Sequence, residues 1–125
     1  EPFVDVEDIA DIAVAALTDP VHSHQIYEIT GSKALTFAET IAEIARATGR
    51  EIAFIPISAD DYRSELVQQG VPDDYIELVL YLFSTVLDGR NTPLADGVQR
   101  ALGRLPRDFS DYVRQTAATG IWGGK

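Results

Sequence analysis

Cysteine and methionine are both absent from this chain of 125 residues. The lack of cysteine excludes a disulfide framework and any thiolate zinc site, and it fits a reducing compartment. Basic residues are scarce: 10 Lys and Arg stand against 20 Asp and Glu, for a net charge of −10. Such a surface repels nucleic acid and anionic membranes, so neither is expected as a partner. No apolar run approaches the roughly 20 residues that a membrane span requires. The acidic start lacks the basic segment that opens a signal peptide, and a cytoplasmic location is expected. Phosphate-binding signatures are missing too. No G-x-G-x-x-G follows a strand-like run, and no Walker loop is present. The single glycine of "ITGS" cannot cradle a diphosphate. No tyrosine is followed by lysine four residues on, and no G-x-S-x-G elbow occurs.

What is present is a globular composition, with 46% hydrophobic residues and enough length for one domain. The charge is uneven. No Lys or Arg precedes Lys33, whereas the segment from Arg90 onward is rich in basic residues. Front and tail could attract each other within one chain or between chains, although solvated faces are the simpler reading.

Along the chain, Pro2 to Val6 reads as a short strand. Asp5 then caps a helix whose apolar stripe is Ile9, Ile12, Ala13, Ala16 and Leu17. Pro20 ends it. "QIYEIT" reads as a second strand, apolar on both faces as in a parallel sheet. Thr36 and Glu39 form a capping box for a helix carrying Ile41, Ile44 and Ala45, which Gly49 closes. "EIAFIPIS" reads as a third strand, placed at an edge by Pro56. Ser58 with Asp61 caps the next helix. "DDYIELVLYLFSTVLDG" follows Pro72 as a helix so apolar that burial on more than one side is expected. Thr92 and Pro93 open a further short helix, and "DFSDYVRQTAA" is the last. The predicted fold class is therefore α/β: strands of a Rossmann-like parallel sheet plus a mostly helical subdomain, in the order βαβαβ and then four helices. Three short strands are few for such a sheet, so residues 1–125 are expected to be a single domain that is part of a larger α/β protein.

Chemistry-bearing groups are sparse. His22 and His24, with Asp19, have the spacing of a weak metal site, but no H-E-x-x-H helix supports it and no metal is expected. The acidic residues Asp5, Glu7, Asp8 and Asp11 could act as paired carboxylates. In a first helical turn they more simply complement the helix dipole. Tyr75, Tyr81 and Phe83, on the over-apolar helix, are the candidate substrate-binding residues. No catalytic or cofactor-binding residue is identified.

The segments "PFVDVEDIADIAVAAL", "QIYEITGSKALTFAETIAEIARATGREIAFIPIS" and "DGVQRALGRLPRDFSDYVRQTAATGIW" together resemble the C-terminal half of NmrA-like atypical short-chain dehydrogenase/reductases. The branch in question holds bacterial quinone-reductase-like proteins and ergot-alkaloid reductases of the festuclavine/agroclavine type. The resemblance implies an NAD(P)H-binding Rossmann half outside this sequence, with this chain adding the last sheet strands and the substrate-covering domain. The helix from Tyr75 to Leu87 would roof the substrate pocket. The intact protein would then be an NAD(P)H-dependent oxidoreductase reducing a small organic electrophile: a quinone, imine or enone. No cofactor is expected for this chain alone. Two alternatives are a dinucleotide-sensing regulator without turnover and a stand-alone interaction module. Strands deprived of neighbours also imply a homo-oligomer.

Overall fold

The structure, a computed structural model, describes residues 1–123. Among the described residues six α-helices follow one another: α1 (Val6–Thr18), α2 (Phe37–Thr48), α3 (Ala59–Gln68), α4 (Asp73–Tyr81), α5 (Gly97–Leu102) and α6 (Phe109–Ala118). A 3₁₀ turn spans Pro20–His22, and a turn of π-helix, Leu82–Val86, continues α4.

The helix starts follow local chemistry. The Asp5 carboxylate accepts from the Glu7 N–H at 2.8 Å. Thr36 and Glu39 form the full reciprocal box at α2, and Gly49 ends that helix at φ +65°. Ser58 accepts from the Asp61 N–H at 3.0 Å and caps α3. Helix α4 begins directly after Pro72, which sits at its N-cap without a side-chain bond. One expected start differs. The short helix begins at Gly97 rather than after Thr92, whose hydroxyl donates instead to the Gly89 carbonyl.

The expected sheet is not there. Among the described residues no strand forms, so the α/β class with βαβαβ order is replaced by an all-helical arrangement with irregular connections. A strand exists only through its ladder, and these segments find single bonds instead. Gly31 N–H donates to the Pro2 carbonyl at 3.0 Å, and Leu35 N–H to the Glu1 carbonyl at 2.9 Å. Glu28, in the middle of "QIYEIT", accepts from Gly97 N–H, while Thr30 Oγ1 accepts from Ala95 N–H. Residues 51–58 carry no regular structure, and Ile55 and Ile57 are exposed.

Helix α2 packs on α6, α1 on α5, and α3 on α4. Ile76, Leu80, Val98 and Val113 are the buried apolar residues. The apolar stripe of α1 is not its inward face: Ile9 is 42% exposed and Leu17 87%, while Asp8 is fully buried. The helix from Asp73 to Val86 likewise buries Ile76 and Leu80 and leaves Leu78, Tyr81 and Phe83 open, so in this chain it is covered on one side only.

Candidate functional site

The inversion of α1 has an electrostatic cause. Asp8 Oδ2 accepts from the Arg107 backbone N–H at 2.8 Å, and Oδ1 meets the guanidinium groups of Arg104 and Arg107. Both arginines also reach Asp11 Oδ2, at 2.8 and 3.1 Å. Burial pushes the Asp8 carboxyl up, but these hydrogen bonds and charges together hold it below the usual carboxylate range. Just beyond, Asp108 caps α6 and takes bonds from Ser110 N–H, Ser32 and Lys33. The Ser110 bond leads in drawing the Asp108 pKa down to about 2. The acidic front and basic tail are therefore joined within the chain rather than left as solvated faces. Asp8 and Asp11 are consumed in structure and unavailable for acid/base work.

The histidines are similarly occupied or isolated. His22 Nδ1 shares a 2.7 Å hydrogen bond with the Tyr27 hydroxyl, and Arg100 stacks over the Tyr27 ring at 5.4 Å. Asp19 accepts from Val21 N–H. No metal-binding group of three ligands stands together among the described residues.

Two cavities among the described residues bear on function. One, of about 400 Å³, lies between Phe3, Ile44, Phe109, Tyr112 and Trp122, with Arg107 on its wall. The other, of about 480 Å³, is the candidate site. Its walls are Phe37 at the start of α2, the irregular run Phe54 to Ser58, Ala59 and Tyr62 of α3, and Leu80, Phe83 and Ser84. The π turn matters here, because Leu87 N–H bonds to the Leu82 carbonyl five residues back and so re-aims Phe83 and Ser84. Phe83 packs against Phe37 and, edge to face, against Tyr62, with both ring centres 5.9 Å away. Lys, Arg, Asp and Glu are all missing from the lining.

Of the three residues singled out from sequence, Phe83 lines this cavity. Tyr75 and Tyr81, on α4, are 62% and 56% exposed and are not among its walls. Sequence reasoning passed over Phe37 and Tyr62. Phe37 directly follows a cap and Tyr62 lies on a polar helix, so only the fold brings them to Phe83.

No family model matches the chain. It is 33% identical over 122 residues to an uncharacterised oxidoreductase of Bacillus subtilis, covering 96% of this chain and 43% of that one. It is 30% identical over 116 residues to an NAD(P)H azoreductase of Xenophilus azovorans, covering 93% and 41%. The triphenylmethane reductase of Citrobacter sp., also solved with NADP(H), superposes on 92% of this chain and 40% of its own at a TM-score of 0.74 and 23% identity. That likeness is one of fold. The chain spans about two fifths of the length of the curated relatives it matches. No helix is long and apolar enough to cross a membrane. These matches agree with the resemblance to the C-terminal half of the NmrA-like atypical short-chain dehydrogenase/reductases.

Proposed function

We propose that this chain is the substrate-binding portion of an NAD(P)H-dependent oxidoreductase that reduces a small organic electrophile, such as a quinone, imine or enone. The observation that carries this reading is the aromatic cavity formed by Phe37, Tyr62 and Phe83, whose size and apolar lining suit a small organic molecule. The relatives named above support the oxidoreductase class. The dinucleotide would be held by the part of the protein that this chain does not match. Hydride comes from the cofactor, and the protein supplies orientation and a shaped pocket. Phe83 forms the aromatic wall. Tyr75 and Tyr81 join the site where the rest of the protein closes over their helix. The intact enzyme works in the cytoplasm, where reduced dinucleotide is abundant.

The test is steady-state kinetics of the intact protein with NADH or NADPH and a panel of quinone, imine and enone acceptors. Phe83→Ala removes apolar contact from one wall, which should raise the acceptor KM roughly three- to tenfold and leave the NAD(P)H KM unchanged. An unchanged acceptor KM beside a raised cofactor KM would refute the assignment. Cofactor binding without oxidation of any acceptor would favour the sensor instead.

A homo-oligomer belongs to the same proposal. The outer face of α1 exposes Val6, Val14 and Leu17 at 66, 61 and 87%. An apolar patch above a few hundred Å² is rarely left open on a monomer. The residues 1–125, prepared alone, should therefore self-associate in spite of the net charge of −10. Sedimentation equilibrium across a wide concentration range checks this; a folded monomer throughout would contradict it.

A further inference from the structure

The cavity between Phe37, Tyr62 and Phe83 has three polar side chains on its walls: Ser58, Tyr62 and Ser84. Two of them have already committed their proton. Ser58 Oγ donates to Asp61 Oδ2 at 2.7 Å, and Ser84 Oγ donates to the Leu80 carbonyl at 2.7 Å. The Tyr62 hydroxyl makes no hydrogen bond among the described residues, and as no buried polar side-chain atom lacks a partner, it reaches solvent. Among the polar side chains of the lining, Tyr62 thus carries the one O–H whose proton is uncommitted, beside walls otherwise built of rings, aliphatic groups and proline. No cation lines the cavity to neutralise an anion, and the Asp61 carboxylate stands behind Ser58.

The geometry points to an uncharged aromatic molecule carrying a hydrogen-bond acceptor as the occupant, with Tyr62 as the residue that positions it by donating to that acceptor. This rests on the oxidoreductase reading above and narrows its substrate class. The ring packs against Phe37 and Phe83, whose tilted and edge-to-face arrangement leaves faces and edges for a third aromatic. The hydroxyl fixes which end of the ring points toward α3. Anionic acceptors are disfavoured twice over, by the missing cation and by the acidic neighbourhood.

Titration calorimetry of the intact protein, without dinucleotide, tests this with 1,4-naphthoquinone, naphthalene and 1,4-naphthoquinone-2-sulfonate. The quinone should bind, and the sulfonate should bind at least tenfold more weakly. Tyr62→Phe keeps the ring and removes the donor. It should weaken the quinone about three- to tenfold, the size of one neutral hydrogen bond, and leave naphthalene unchanged. Equal losses for both rings would make Tyr62 a packing residue and overturn the proposal, as would no loss, no binding, or preference for the sulfonate. Oxidation of NAD(P)H by the same quinone separates the two readings. Binding as expected with no oxidation under any condition sinks the reductase, whereas oxidation with an unchanged quinone affinity in Tyr62→Phe sinks the role of Tyr62.

Discussion

Asp8→Ala should destabilise the protein by about 3 kcal/mol, within the range found when one partner of a buried ion pair is removed. Asp8 is fully buried and serves three donors: the Arg107 N–H and two guanidinium groups. Removing it orphans a backbone donor and leaves two arginines facing each other with Asp11 alone between them. Asp8→Asn keeps an oxygen for the Arg107 N–H and loses the charge, so it should be the milder change. Asp11 is 44% exposed, and its loss should be milder still. Urea unfolding of the three variants gives the order, and a larger loss for Asp11→Ala than for Asp8→Ala would overturn this account. The pH dependence has a definite sign. The Asp8 carboxyl sits below its ordinary value of 3.8 in the folded state. Its contribution is complete above that value and is lost as pH falls through the lower folded one. The advantage of the native protein over Asp8→Asn should thus be constant near neutrality and shrink only below about pH 4.

This cluster also explains what could and could not be read from the chain. Caps were legible, because Asp5, Thr36–Glu39, Gly49 and Ser58 act on groups within a few residues of themselves. The orientation of α1 was not. Its apolar stripe is intact in the sequence, but the partners of Asp8 lie 96 and 99 residues away, and the pairing turns the acidic side inward. The stripe is left outward, with Ile9 and Leu17 exposed. Strands were misread for a related reason. "QIYEIT" has strand-forming side chains, but a strand is a property of its neighbours. Phe83 was legible as an aromatic on an over-apolar helix. Tyr62 was not, because nothing within its own polar helix marks it, and only the seam between α3 and α4 brings it to Phe83.

Gly97→Ala is expected to cost at least as much as the loss of Asp8, on the order of 3 kcal/mol or more. A Cβ at position 97 would run into the carbonyl oxygen of Glu28 and lie 2.7 Å from its carbon. These are backbone atoms, and a side-chain rotation cannot relieve the clash. The same glycine donates its N–H to that carbonyl at 3.0 Å, so close approach is what holds the start of α5 against residues 28–30. Thr30 continues the seam by accepting from Ala95 N–H and donating to the Ala95 carbonyl. Gly103, at the other end of α5, provides the control. It needs φ +68°, but a Cβ there would meet nothing within 4 Å. Gly103→Ala should therefore cost only the left-handed strain of about 1–2 kcal/mol. Because α5 leads directly into Arg104 and Arg107, a displacement at Gly97 should also loosen the Asp8 cluster. The double variant Gly97→Ala/Asp8→Asn should lose less than the sum of the two single losses. Equal costs for Gly97→Ala and Gly103→Ala would show that the contact with Glu28 yields easily. Strict additivity would show that α5 does not carry the arginines with it.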